Sequence, residues 1–597
     1  MSGSYRASVG HNPKILVKKA GLSLSGGPVS FSTGGPPIGE YNFPSGSTPT
    51  TGTALTAVPT FHNIGLYWSE PSGSTSNTAL VRFRPASGIW RQGYTLWYDA
   101  RLQDNNGQMS NGVSGAVVNK VPYGNQQYRG SLVGLQPGTT YEIEVMTQSG
   151  TRKLSSTTCT TWTETWHVAS TINVGSRSST LNITSGGSPG NYVLYTAGTI
   201  NTTSPYCINI SAPYVIIRGL TLVGGMDGGA SVGSSGSIRI QSGAHDIVIE
   251  DCDMSQMGTN GWKCYGIGTD SGTYIGGVLS NGSITKVVIQ NNRIHHPKYD
   301  TIRWPTGHPQ GVLGTFLRNT GGNHVIRYNS IYSDLTGNFF EDGISGGENF
   351  SAYGALHKDS DVYGNSITHI ADDGIEADGG LCNCRIYNNK ITYAFVDIST
   401  SATAIGPCYI FRNVAHNPYK NSTESTTGNW YKTLGKSVPD AVNSSLYCGG
   451  GRVYMFHNTL YHNSGTDNIK GMFTTREMGL INMVSRNNIF HVRDSNLSLE
   501  AQKYTVYYGP DPPGVGGLDF DYDYYVGAGM TTYGNEPNGK AIGVGTTPVY
   551  DAGTYQLTNT SPGRDAATYL PNFNDQFTTP DVGAQERGQP AIVFGVR

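Results

Sequence analysis

Charge is scarce in this sequence. Only 13% of its 597 residues are Asp, Glu, Lys or Arg, and they nearly cancel to a formal −2. A chain so balanced offers no electrostatic footprint for nucleic acid or for an anionic membrane surface. Long apolar runs are missing too, and none approaches the length that crosses a bilayer. The opening MSGSYRASVGHNPKILVKKAGLSLSGG has no stretch of signal-peptide length, so export by the general route is not expected. The eight cysteines follow no disulfide or zinc spacing. Cys382 and Cys384 make a CxC with no second pair at ligand distance, so buried thiols are expected. Apolar residues at three- and four-residue spacing, which a helical repeat protein needs, are also absent.

What is abundant is Gly (81) and Tyr (37), together with one repeated frame: an apolar residue, two variable residues, Asn, one variable residue, and a small or apolar residue. It is clearest at Val362, Ile386 and Ile410, spaced by 24 residues twice, with Asn365, Asn389 and Asn413 in the Asn position. It recurs upstream at Ile217, Ile249, Ile289 and Ile326, and downstream at Met455, Val484 and Phe520. Asn fills its place at 292, 329, 365, 389, 413, 458 and, in this register, at Asn487. A fixed period of this size means a solenoid. Alternating apolar residues closed by Asn and Gly turns make each repeat a coil of strands. Stacked Asn amides then satisfy one another from coil to coil. The expected fold is an all-β parallel β-helix with an asparagine ladder, in which Cys384 and Cys408, two before their anchors, stack inside adjacent coils.

Five regions follow. Residues 1–53 are a Gly/Pro/Ser-rich arm with no core of its own, expected to attach the chain to a larger assembly. Residues 54–163 hold short alternating strands at sandwich-like spacing. Residues 164–215 are a cap or entry to the β-helix, 216–530 the coils, and 531–597 a closing segment.

In 54–163, the run LQPGTTYEIEV (Leu135 to Val145) with Trp68 resembles the fibronectin type III module, and the resemblance implies a tyrosine corner at Tyr141. About 400 residues, with the closing DVGAQE (Asp581 to Glu586), resemble the right-handed, pectate-lyase-like parallel β-helix superfamily. That superfamily includes phage tailspikes and polysaccharide lyases, hydrolases and epimerases. The tailspike resemblance implies a virion tail component, a homo-oligomer (a trimer), released by lysis and bound to other tail proteins through residues 1–53. It also implies that the chain binds a host surface polysaccharide and degrades it. The separate trimerisation region of tailspikes is not evident after Glu586. Two alternatives stay open: a non-catalytic structural or receptor-binding tail component, and a bacterial polysaccharide lyase or epimerase without its leader. Nucleic acid and membrane are not expected partners.

Acidic residues gather at Glu341, Asp342, Asp372, Asp373, Glu376 and Asp378, with Asp300 in a related place. Asp300 and Asp373 each fall six residues after the last apolar position of their frame, and Asp342 joins them if a five-residue insertion is allowed. These carboxylates are then expected on successive coils, about 5 Å apart. With Ile375 inward, Glu376 and Asp378 point outward roughly 7 Å apart, between the retaining and inverting separations of glycosidases. One carboxyl would serve as general acid and a neighbour as base or nucleophile, with His357 and His369 as proton carriers. The same residues also read as Asp-Gly turns tied to backbone amides, or as a calcium site of stacked carboxylates, the one cofactor in view. Tyr299, Arg303, Trp304, Trp430 and Tyr431 stand in two long loops as candidate sugar-stacking and hydroxyl-binding groups. Loop aromatics as often pin their own loop.

Overall fold

The computed structural model describes residues 39–597 except 101, 104–108, 111–125, 226–234, 259–263, 270–273, 276–277, 280, 303–308, 335–336, 348–353, 401–402, 418–450, 463–481, 493–518, 528–535, 543–547 and 552. Among the described residues there is no α-helix.

The repeat frame becomes a stack of parallel strands. Val325–Arg327 pairs with Asp361–Tyr363, then Cys384–Tyr387, Cys408–Phe411 and Val453–Phe456, all parallel. Ile326, Val362, Ile386, Ile410 and Met455 stand in one register and are wholly buried. A second inward column, Ile294, Ile331, Ile367, Ile391, Ala415 and Leu460, faces them across the Asn turn. Cys384 pairs in register with Cys408, and burial raises both thiols, Cys408 to about 12. The entry segment is itself coiled: Val168–Arg177 pairs with Tyr192–Thr202, which pairs with Val215–Gly224.

The asparagine ladder runs from Asn292 through Asn329, Asn365, Asn389, Asn413 and Asn458. Each donates its backbone N–H and its Nδ2 to the side-chain oxygen of the next residue at 2.8–3.1 Å. The second Nδ2 proton goes to the anchor carbonyl one coil back, as from Asn389 to Val362. Buried amides are thereby saturated, which is why they are tolerated in a dry turn.

One expected rung is corrected. The frame set on Val484 selects Asn487, but Met455 pairs with Ser485, and Asn488 carries the ladder. Asn487, at φ 61, turns the other way and binds His457 and Thr568. The doubled Asn hid a one-residue slip, and a small inward Ser in place of an apolar anchor gave no warning of it. Asp523 closes the ladder, accepting from Asn488 N and Nδ2.

The described residues between 50 and 160 form a β-sandwich. Arg91–Asp99 pairs with Ala79–Pro85 and also with Gln127–Leu132, folding two sheets over Ile64, Leu66, Trp68, Phe83, Leu96 and Ile143. Tyr141 Oη accepts from Gln136 N at 2.9 Å. In the C-terminal segment Lys540–Ile542 still pairs in parallel with Tyr524–Val526 of the coils. Its last part runs back along the flank of the coils: Ala584 N donates to Thr459, Gly595 N to Gly364 O and Val596 N to Ser330, and the Arg597 guanidinium lies 3.4 Å from the Tyr328 ring centre.

Candidate functional site

Strands Val312–Phe316, Ile344–Ser345, Ser366–Glu376 and Lys390–Ser399 stack in parallel and carry the acidic cluster. Thr315, Ile344, Ile375 and Ile398 share one register and are buried, so the residue after each, Phe316, Ser345, Glu376 and Ser399, forms the neighbouring column. Glu376 is half-buried, and its Oε2 accepts the Ser345 hydroxyl at 2.6 Å. Gly347 lets the chain pass over this side chain, since a Cβ there would come within 2.6 Å of Glu376 Cγ and Cδ. Asp378, one further alternation along, is 1% exposed and accepts from Ser399 Oγ at 2.9 Å.

Asp342 and Asp373 each sit two residues before the register pair Ile344 and Ile375, so they are neighbours on adjacent coils. Asp342 Oδ1 accepts from Asp373 N at 3.1 Å. Glu341 Oε2 accepts from Gly311 N at 2.7 Å. Asp300 does not join this column: its Oδ1 accepts from Thr301 N and from Phe339 N, at 3.1 and 2.9 Å. The cluster thus combines two roles. Covered carboxylates tie backbone amides between coils, and Glu376 stands at their edge with solvent access.

The two histidines have other company. His357 is 3% exposed, its Nδ1 lies 2.9 Å from Thr320 O, and burial lowers its pKa to about 4. His369, at φ 62, stacks on Tyr393 and touches Thr368 Oγ1, and burial lowers its pKa also. Neutral rings of this kind accept protons poorly near pH 7. Tyr299 is half-buried. Arg303, Trp304, Trp430 and Tyr431 lie outside the described residues. Among the described residues, no three His, Cys, Asp or Glu side chains converge as a metal cage requires.

A second surface was missed from sequence. The residue after each anchor, Arg327, Tyr363, Tyr387, Phe411 and Phe456, points out of the coil. Tyr363 stacks on Tyr387 and Tyr387 on Phe411, each with ring centres 4.7 Å apart. An outward column facing water would be polar. This one is aromatic because the β-sandwich lies on it. Phe61 packs over Arg327, and Tyr94 packs against Tyr454, Phe456 and Phe573. Beneath lies a fully buried pair, Arg385 Nε to Asp361 Oδ1 at 2.6 Å, with Thr60 and Asn63 donating to Asp361 Oδ2. Tyr67 Oη donates to Asp359 at 2.7 Å, and Arg129 Nε to Gly406 O at 2.9 Å. Burial raises Asp359 to about 6 despite Arg385 nearby.

No protein-family model matches the chain, and no curated protein matches it in sequence. Among solved structures it is similar to the pectate lyase Pel9A, at 12% identity and TM-score 0.29, over 71% of this chain and 86% of that one. It is also similar to pectate lyase II from Xanthomonas campestris pv. campestris, at 12% identity and TM-score 0.24, over 68% and 94%. Likenesses this distant add nothing to the architecture read directly from the strand pairing.

Proposed function

We propose that this protein is a phage tail component of the tailspike kind that binds a host cell-surface polysaccharide on the flank of its β-helix and cleaves it at the acidic ledge. The observation that carries the reading is the ledge itself: Asp342 and Asp373 in register on adjacent coils, with the partly exposed Glu376 three residues beyond Asp373. A repeating flank suits a repeating ligand, since each coil adds about 5 Å of contact surface along one axis. In cleavage, Glu376 meets the glycosidic oxygen or its water as the group that hands over or takes up the proton.

Support for a tail role is the Gly/Pro/Ser-rich arm at residues 1–53, which would join other virion proteins, and the sandwich at 54–163, whose Tyr141–Gln136 bond fits a fibronectin type III-like module. A trimer is part of this reading. One observation favours a binder without catalysis: Asp342, Asp378 and Asp300 each already accept hydrogen bonds from the chain. Incubating the purified protein with capsular and lipopolysaccharide glycans, then weighing the products by mass spectrometry, separates the two. Discrete oligosaccharides establish an enzyme. Retention of the protein on intact glycan without products establishes a binder, and the absence of both products and retention overturns the polysaccharide reading.

A further inference from the structure

Residues 581–587 make a turn that is pressed into the flank of the coils. Gly583 N donates to Asn487 O, and Ala584 N to Thr459 Oγ1, both at 2.8 Å. Arg412, on the coils, gives its guanidinium to Ala584 O and Phe573 O at 3.0 and 3.4 Å. His457 lies in the same place one coil on, with Nδ1 3.3 Å from Gly583 O. Its Nε2 lies 3.0 and 2.9 Å from the side-chain nitrogens of Asn487 and Asn574. Burial, with Arg412 beside it, pushes the pKa of this imidazole well below the ordinary range.

Three carboxyl groups meet in the turn. Asp581 accepts from Asp565 N and Arg587 N, at 2.8 and 2.9 Å. Asp565 pairs with Arg564 and Arg587, at 3.1 and 3.2 Å. Glu586 is the odd one. It is 9% exposed, its Oε1 accepts from Asp581 N at 2.9 Å, and its Oε2 is buried with no hydrogen-bond partner. The nearby Arg412 spends its bonds on the two carbonyls and makes no ion pair with it. Burial pushes the Glu586 pKa up, Arg412 pulls it back, Asp581 and Asp565 add to the rise, and it stands at about 8.

We propose that the turn 581–587 is a pH-sensitive latch, which holds the stretch 565–597 on the coils while Glu586 is protonated and loosens when Glu586 ionises. Release would bare Ser330, Ser366 and Thr459 on the coil flank, where this stretch now lies. The direction follows from the two groups that change surroundings. Once released, Glu586 ionises from its ordinary value near 4.5, so release gains about tenfold per pH unit from there up to about 8. His457 acts oppositely, since a released flank lets it take a proton below about pH 6.5. The two oppose each other below that point. The unopposed loosening runs from about pH 6.5 to 8 and amounts to about 30-fold.

Hydrogen exchange of the full chain, followed by mass spectrometry from pH 6 to 9, tests this once each rate is divided by the intrinsic rate at that pH. Strands Cys384–Tyr387 and Cys408–Phe411 report any pH dependence of the coils themselves and serve as the reference. Relative to them, amides of 565–597 should lose protection by about 30-fold between pH 6.5 and 8 and little beyond. Glu586→Gln keeps the shape and the bond to Asp581 N, and should make protection flat over that range. If the Gln variant does not hold the stretch even at pH 6, Asp565→Asn carries the test: with one carboxylate removed, the loosening should end below pH 8. Protection that is independent of pH in the wild type overturns the latch. So does an unchanged loss in Glu586→Gln, or an unshifted one in Asp565→Asn.

Discussion

At the residue scale, the buried polar groups decide what can be changed. Asn389 donates to Asn413 and to Val362 O and accepts from Asn365 N and Nδ2. Asn389→Ala leaves those partners buried and unmatched, and should lower stability by about 1–3 kcal/mol in urea unfolding, whereas Asn→Ala at exposed Asn182 should be silent. Asp397 is the opposite case. It is fully buried, neither carboxyl oxygen has a hydrogen-bond partner, and burial raises its pKa well above the ordinary value. It follows Gly314, Gly343 and Gly374 in register, and Ala415 stands where the preceding coils place Ile, which makes room for it. The unfolded chain ionises this group from about pH 3.9, while the fold holds the proton. Stability therefore falls as pH rises above that point, by about 1.4 kcal/mol per unit, until the folded group ionises too. Asp397→Val should unfold later than the wild type at neutral pH, with the charge-related gain gone below about pH 3. A pH-independent difference would contradict this. Asn365, Asn389 and Asn413 were legible because they repeat. Asp397 was not, because a single Asp in YAFVDIST reads as any outward residue of a strand.

At the scale of elements, the coils were legible and their coverings were not. Hydrophobic period and Asn spacing report on a coil's interior, so Ile326, Val362, Ile386 and Ile410 were found with their register. The face beneath the sandwich is built from the residues between those anchors, and long-range docking leaves no period in either partner. Its signal was present as Tyr363, Tyr387, Phe411 and Phe456 in one outward column. The C-terminal segment likewise carried a recognisable DVGAQE without showing where it lies. Gly583, at φ 98, comes so close to Thr459 and Ile489 that a Cβ would stand 2.7 and 2.8 Å from them, and the Asp581 and Glu586 carboxylates accept from backbone amides at 565, 587 and 581. Segment and sandwich also grip each other, through Asn572 to Val133 and Asp575 to Arg91. The buried pair under the sandwich gives the sharpest prediction at this scale. Arg385→Ala strands the Asp361 charge and should lower stability by about 3–5 kcal/mol. Limited proteolysis should then cut the join between 161 and 168 faster than in the wild type, where Trp162 and Trp166 pack on the aromatic column and Glu164 pairs with Arg327. An uncut join in the variant would show that Arg385 does not hold the sandwich down.

At the scale of the molecule, the sandwich, the coils and the returning C-terminal segment brace one another along a common flank, and the acidic ledge is carried on the coils they brace. The ledge was readable as a cluster and as alternation about Ile375, yet its division of labour was not. Which carboxylate ties an amide and which meets solvent depends on chain crossing from other coils, such as Gly347 over Glu376. The claim that most needs testing is that Glu376 acts on a bound polysaccharide. The direct measurement is the rate of glycan cleavage by Glu376→Gln beside the wild type, on the polysaccharide that the wild type retains and under conditions where both melt at the same temperature. The account predicts a loss of about 100-fold or more with binding kept, the contribution of a positioned general acid. Cleavage at the wild-type rate by the Gln variant would contradict it.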